Sequence, residues 1–226
     1  MNSVVYGDGI TPQIREDFLA KYGCTGFTDD ILQHLVNEFG QRGIVEVGAG
    51  NGQWARALSD HYRALNNSDG PSKSWNFILA YDNMKQLPLS PKVYHKNTLP
   101  ANKYFFDVKR SASHIDAVQS SRGRALLLVY PPPRTMAIET MQAYVDASPG
   151  YHNASHTNDT IVYVGEGRGG ANANDAFFDY FLGCNDSNNE DTEKIQWVLE
   201  KVMNVQFSPG GKGYEKMFVF RRKSTL

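Results

Sequence analysis

Two hydrophobic rhythms alternate along the chain, one with helical period and one running unbroken over short stretches. Ile31, Leu32, Leu35, Val36 and Phe39 keep helical spacing. Thr28 stands before them as an N-cap, Asp29 and Asp30 fall in the first turn, and Gly40 supplies the stop, so the pattern predicts an amphipathic helix. Residues 43–47 form a short β-branched strand that ends in Gly48-Ala49-Gly50-Asn51-Gly52, after which Trp54, Leu58, Tyr62 and Leu65 return to helical spacing. The reading is strand, tight loop, helix. A polar stretch over 66–74 leads into a second strand at 75–81 that stops at Asp82, and 104–108 is a candidate third strand.

Residues 125–130 are almost wholly apolar, which suits a central parallel strand covered on both faces, and Pro131, Pro132 and Pro133 end it. Ile138, Met141, Tyr144 and Val145 predict a further helix, 160–164 a further buried strand, and Ala176, Phe177, Tyr180 and Phe181 another helical face. Strands alternating with helices predict an α/β fold, a doubly wound and mostly parallel sheet with helices on both sides. The last segment departs from this rule. Residues 197–207 read as a helix running into a strand, 209–213 as a Gly-rich turn and 216–220 as a strand, so the sheet is expected to end in an antiparallel hairpin. The polar residues 187–192 read as a surface loop. No domain boundary stands out in 226 residues, and we expect one domain with its core over 28–222 and an N-terminal extension or lid over 1–27.

Composition narrows the function classes. Lys and Arg number 23 against 24 Asp and Glu, a net charge of −1 with a pI near 6.6, so there is no global cationic field of the kind that binds phosphate backbones. Cys24 and Cys184 are too few for a disulfide framework or a four-ligand zinc site, and His95, His114, His152 and His156 lack metal-ligand spacing with an acid or thiol, so no metal is implied. The first residues have no basic region followed by an apolar run, and no stretch approaches the roughly 18 apolar residues of a membrane span. The expectation is a soluble, cytoplasmic protein with no membrane partner. Glycosylation sequons at Asn67, Asn153 and Asn158 carry no weight in such a chain.

The candidate chemistry sits at the glycine loop, because ligands of open α/β sheets bind beyond the carboxyl ends of the strands. Its spacing is G-x-G-x-G. A dinucleotide fingerprint needs G-x-G-x-x-G, and Gln53 stands where the third glycine would be, which disfavours a nicotinamide-dependent oxidoreductase. No Gly-Lys-Ser/Thr follows, so a P-loop is absent as well. Trp54 shares a face with Leu58 and Tyr62 and reads as core.

Glu46-Val47-Gly48-Ala49-Gly50-Asn51-Gly52 resembles the first motif of class I S-adenosylmethionine-dependent methyltransferases, an acid followed by G-x-G-x-G. The resemblance spans roughly residues 28–222. It implies a Rossmann-like seven-stranded sheet with a C-terminal antiparallel hairpin, and S-adenosyl-L-methionine as cofactor. It places Glu46 near the methionine amino group, and it gives Gly48, Ala49, Gly50, Asn51, Gly52, Asp82, Asn83, Tyr130 and Pro131 to the cofactor site. Asp82, at the end of the second strand, would accept hydrogen bonds from the two ribose hydroxyls, a task that suits a carboxylate with two acceptor oxygens.

In amino-methylating members the fourth strand often ends in Asp/Asn-Pro-Pro-aromatic, where this chain has Tyr130-Pro131-Pro132-Pro133. Tyr130 replaces the acceptor for a target amine, and Pro133 replaces the ring that would stack on a base. We take Tyr130 and Glu166 as candidate catalytic residues and Pro132, Pro133 and Arg168 as candidate substrate contacts. The glycine-dense run over 165–170 reads as a flexible stretch able to close over a substrate, with Arg168 holding an anionic group. Lys109, Arg110, Arg122, Arg124 and the run Arg221-Arg222-Lys223 read as solvated faces or a small phosphate patch. Two functions follow. One is a methyltransferase acting by positioning on an acceptor that is a small molecule, a protein or RNA. The other is an inactive methyltransferase-like binding or scaffold subunit of a larger protein complex.

Overall fold

The structure is a computed structural model, and it describes residues 9–66, 76–83, 104–147, 157–182, 197–211 and 213–223. The expected strand at 75 and 76, the loops at 67–74 and 187–192, Cys184, the sequons at Asn67 and Asn153, and His95, His152 and His156 fall wholly or partly outside those residues.

Two helices, α1 (Pro12–Tyr22) and α2 (Asp29–Phe39), precede β1 (Ile44–Val47). Then follow α3 (Gln53–Leu65), β2 (Ile78–Asp82), β3 (Val108–Arg110), α4 (His114–Gln119), β4 (Ala125–Val129), α5 (Met136–Asp146), β5 (Thr160–Gly165), α6 (Asp175–Leu182), β6 (Trp197–Asn204) and β7 (Lys216–Arg222). These strands make one sheet in the order β3-β2-β1-β4-β5-β7-β6. β3, β2, β1, β4 and β5 run parallel, and β7 pairs antiparallel with both β5 and β6. This is the doubly wound sheet with a terminal hairpin that the pattern predicts. Strand order reverses beside β1, so the chain leaves β1 at the switch point where such sheets bind ligands.

Local chemistry sets the elements that frame that point. The Thr28 hydroxyl accepts from the Ile31 amide and starts α2, whose apolar face (Ile31, Leu32, Leu35, Val36, Phe39) is buried. α2 and α3 cover one face of the sheet, against Ile44, Ala80, Leu127, Val162, Val164 and Met217. α4, α5 and α6 cover the other, against Val45, Val47, Leu126, Leu128, Ile161 and Tyr163. Both faces of β1, β4 and β5 are therefore dry, as the unbroken apolar run of β4 requires. Leu65 ends the α3 stripe but stands exposed at the last turn.

Two expected elements differ. Residues 104–107 do not pair with β2; the Phe105 amide donates to the Asn51 carbonyl (2.8 Å) and Phe106 packs onto the core, so the aromatic run serves the glycine loop and the strand begins at Val108. Residues 197–204 are strand throughout and contain no helix. A register shift between Leu199 and Lys201 breaks their period of two, and as the outer strand they expose most side chains, so their sequence lacks the alternation of a half-buried strand.

The amino ends of the strands are locked by polar groups. Arg42 is buried and donates to Asp159 (2.6 Å), the Thr157 carbonyl (2.8 Å) and the Gly123 carbonyl (3.1 Å). Asn158, which matches a sequon, is buried and bridges the Gly123 amide to the Tyr144 carbonyl, both at 2.7 Å. Arg124 donates to the Asn76 and Phe77 carbonyls, and Arg221 pairs with Glu38 and Glu200, so neither joins a phosphate patch. Burial pushes the Asp159 carboxyl upward, but hydrogen bonds from Thr160 and Arg42 and the Arg42 charge outweigh it and hold the group below the usual carboxylate range.

Arg42→Ala takes the buried guanidinium away from a half-buried acid and two half-buried carbonyls, although Asp159 keeps the Thr157 and Thr160 hydroxyl donors, and is expected to lower the unfolding free energy by about 2 kcal/mol at neutral pH, measured by urea denaturation. The Asp159 contribution is present above the ordinary carboxylate pKa of about 4 and is lost as pH falls through the lower folded value, so the gap between the two proteins narrows on acidification.

Candidate functional site

At the carboxyl end of β1 the backbone turns sharply against β2. The Gly48 and Ala49 amides both donate to the Tyr81 carbonyl, at 2.9 and 3.0 Å, and the Gly50 amide donates to Asp82 Oδ2 at 3.0 Å. The loop is thus tied to the second strand before any ligand arrives. Gly52 is the N-cap of α3 at φ 83°, and a methyl group there would lie 2.8 Å from Phe106 Cβ and Val108 Cγ2. Packing against the chain entering β3, rather than room for a ligand, demands this third glycine.

Two clefts, both open to solvent, meet at Gly48. The first is walled by Glu46, the loop residues Gly48 to Asn51, Gln53, Trp54, Val129 and Tyr130, and it is closed on one side by Tyr22, Gly23 and Cys24. The second is walled by Asp82, Asn83, Tyr81, Ser111, His114 and Met136. Of the residues singled out from the sequence, Glu46, Gly48, Ala49, Gly50, Asn51 and Tyr130 come together in the first cleft and Asp82 and Asn83 in the second. Pro131 is buried behind Tyr130, and Pro132 and Pro133 are exposed beyond it.

The N-terminal wall is anchored from several directions. Gln53 Nε2 donates to the Leu19 carbonyl (3.0 Å) and the Trp54 indole to the Thr25 carbonyl (2.9 Å). Gly26 and Gln206 exchange backbone hydrogen bonds, and Arg15 reaches Ser208 Oγ and the Pro209 carbonyl. Gln53, which takes the place of a dinucleotide-binding glycine, thus holds the wall instead. Trp54 is core, as its spacing predicts, and also faces the cleft.

The electrostatics of the first cleft centre on Glu46. Its side chain lies on the α2 and α3 face of β1 with 2% exposure, and among the described residues its Oε2 has no hydrogen-bond partner. Burial and then the nearby Asp82 charge push its pKa up to about 8, against a hydrogen bond from the Ala55 backbone that lowers it. Burial likewise pushes the Cys24 thiol up to about 12, so it is no nucleophile at neutral pH.

The third group of candidates is differently employed. Tyr130 leaves β4 at φ 50°, a left-handed conformation that costs a non-glycine residue about 1–2 kcal/mol. Its amide donates to the Val164 carbonyl at 2.7 Å. Glu166 Oε2 accepts from the Ala171 amide (2.9 Å), and Arg168 pairs with Asp179 (2.7 Å) and Asp175 (3.8 Å). The run over 165–170 is therefore no loose flap. Its glycines allow a tight turn that Glu166 caps, and two acids of α6 hold the guanidinium expected to bind an anion.

Sequence reasoning missed Tyr22, Ser111, His114, Met136 and Asn172. Ser111 and His114 follow the third strand, and placing that strand at 104–108 hid its exit. Asn172 is buried at 3% exposure and gives no periodic signal. No helix of the described residues is long and apolar enough to cross a membrane, and no group of three or more His, Cys, Asp or Glu is gathered among them to hold a metal ion.

No family model matches the chain, and no curated protein matches it in sequence. Among solved structures it is similar to TrmN from Thermus thermophilus, at 12% identity over 85% of this chain and 48% of that one, with a TM-score of 0.41. It thus spans about half the length of that protein. Magnesium protoporphyrin IX methyltransferase (ChlM) from Synechocystis PCC 6803, with SAM bound, is similar at 13% identity over 98% of this chain and 89% of that one, TM-score 0.40. The methyltransferase domain of bacterial CtHen1-CN is similar at 10% identity over 84% and 96%, TM-score 0.34.

The raised Glu46 pKa makes stability depend on pH. An unfolded glutamic acid has lost its proton by about pH 5, whereas the folded one keeps it to about pH 8, so the contribution is complete below 4.5 and is lost as pH rises through 8. Glu46→Gln has no such proton to lose. Urea denaturation is expected to give the Gln variant little advantage at pH 5 and a gain on the order of 3 kcal/mol at pH 8.5.

Proposed function

We propose that the chain is an S-adenosyl-L-methionine-dependent methyltransferase that holds its cofactor across Gly48, with the methionine end in the first cleft and the nucleoside in the second. The observation that carries this reading is the unpartnered, buried Glu46 oxygen facing the first cleft beside the glycine loop. A buried carboxyl oxygen without a partner is unfavourable, and an ammonium group supplies the missing partner and favours the carboxylate, so that the proton leaves to solvent. Asp82 on the far side of Gly48 offers its carboxylate to a vicinal diol, with Asn83 beside it. Ser111, His114 and Met136 wall a slot suited to a flat base. The residues present fit the group.

When bound, S-adenosyl-L-methionine supplies a methyl group on a sulfonium, a good leaving group. The chain's own contribution is positioning and exclusion of water. Tyr22, Trp54 and Tyr130 give the first cleft aromatic walls that attract a cation. Tyr130 and Pro131 border the donor, and the exposed Pro132 and Pro133 form the lip by which an acceptor enters. On this reading residues 1–226 form a single domain with its core over 28–222, and residues 22–24, within the N-terminal extension or lid over 1–27, border the first cleft. A second reading, a binding or scaffold subunit that keeps the fold, is favoured by one observation, the engagement of Glu166 and Arg168 within their own loop and α6.

Calorimetric titration with S-adenosylhomocysteine tests the first reading. Micromolar binding is expected, weakened by about 10- to 100-fold in Glu46→Gln and in Asp82→Ala, the scale of a hydrogen bond to a charged group, with no heat from NAD. At pH 7 the wild type releases close to one proton on binding, seen as a dependence of the heat on the buffer, and Glu46→Gln does not. A folded wild type that fails to bind abandons the proposal and leaves the scaffold reading.

A further inference from the structure

Among the described residues only Tyr130 and Ala173 combine a side chain with positive φ, at 50° and 55°, and one buried amide group joins them. Asn172 Nδ2 donates to the Pro131 carbonyl at 3.3 Å, and the Ala173 amide donates to the same oxygen at 3.4 Å. Asn172 Oδ1 accepts from the Glu166 amide at 3.1 Å, and the Glu166 carbonyl accepts from the Tyr163 hydroxyl at 2.7 Å. The exits of β4 and β5 are thus welded through one side chain that is 3% exposed. Strained non-glycine backbone persists where its surroundings over-determine it, and such places cluster at working sites. Tyr130 lies on the wall of the first cleft, and Asn172 does not.

We infer that Asn172 is a positioning residue. By holding the Pro131 carbonyl it keeps Tyr130 left-handed, with its ring set into the cleft wall beside Glu46. Both lone pairs of the Pro131 carbonyl are used, so the backbone oxygen at the β4 exit serves the fold and leaves recognition on that side to the Tyr130 side chain. Asn172 touches no reacting group in this scheme and acts through Tyr130 alone. The inference rests on the cofactor reading of the cleft.

The test compares wild type, Asn172→Asp, Asn172→Ser, Tyr130→Gly and the double variant Tyr130→Gly with Asn172→Asp. Aspartate keeps an acceptor for the Glu166 amide but offers the Pro131 carbonyl no donor, whereas serine keeps one hydroxyl donor. Amide hydrogen exchange at Tyr130, followed by NMR, is expected to speed up by about tenfold or more in Asn172→Asp, while exchange at Leu126, Leu127 and Leu128 stays as in wild type. Affinity for S-adenosylhomocysteine falls about tenfold in Asn172→Asp and recovers in part in Asn172→Ser. In the Tyr130→Gly background, where glycine adopts the left-handed conformation unaided, Asn172→Asp brings no further loss. If Asn172→Asp does not fold, the serine variant carries the same comparison with a smaller effect.

Exchange that rises equally at Tyr130 and along β4 marks a merely structural role and overturns the inference, as does unchanged affinity or an additive double variant. A wild type that binds no S-adenosylhomocysteine sinks the cofactor reading instead, and the exchange comparison still decides whether Asn172 holds Tyr130.

Discussion

A carboxyl group on a strand, almost wholly shut off from water, is the constraint on which the rest of this edge depends. Glu46 sits among residues that need both faces of β1 dry, and the same dryness leaves one of its oxygens without a partner. Every other feature of the first cleft answers to that placement. The glycine loop is pinned to β2 by the Tyr81 carbonyl and the Asp82 carboxylate, which brings a second acid close enough to raise the first. The helix after the loop contributes Gln53 and Trp54, whose hydrogen bonds draw the N-terminal segment over the opening. Without that wall the acid would meet solvent and relax toward an ordinary pKa.

The edge divides into a prepared half and a rigidified half. On the β1 and β2 side Glu46, Asp82 and the glycine loop line the two clefts. On the β4 and β5 side the groups that look chemical in the sequence are spent on the chain itself. Arg168 answers to two acids of α6, Glu166 caps a turn, and Asn172 joins the two strand exits. Of the candidates on that side, Tyr130 is the one that lines the first cleft.

What could be read from the sequence follows from what is local. The helix over Asp29–Phe39 announces its cap, its acids and its apolar face within twelve residues of chain. β1, β4 and β5 announce themselves because burial on two faces permits hardly anything but apolar side chains. The glycine loop and Asp82 were visible because loop and strand end stand at fixed places in an alternating pattern. The third strand was misplaced because Phe105 and Phe106 are strand-like residues whose partner is the glycine loop, a contact more than fifty residues away in sequence. The outer strand β6 was misread because its bulge disrupts the period by which strands are recognised. Roles of Glu166 and Arg168 were legible as residue types and not as partnerships, since Asp179 and the Ala171 amide are chosen by a turn that only the folded chain makes.

The attachment of the N-terminal wall has a temporal side. Gly26 pairs with Gln206, and Arg15 reaches Ser208 and Pro209, so the earliest described helix is fastened to the hairpin between the last two strands. During synthesis α1 emerges long before the segment that fastens it, and nearly the whole sheet must be made in between. In a nascent chain the wall has its Gln53 and Trp54 hydrogen bonds available but not its fastening to the hairpin. The full set of anchors on that wall is therefore available only once residues 206–209 have been made, which ties the finished shape of the first cleft to completion of the domain.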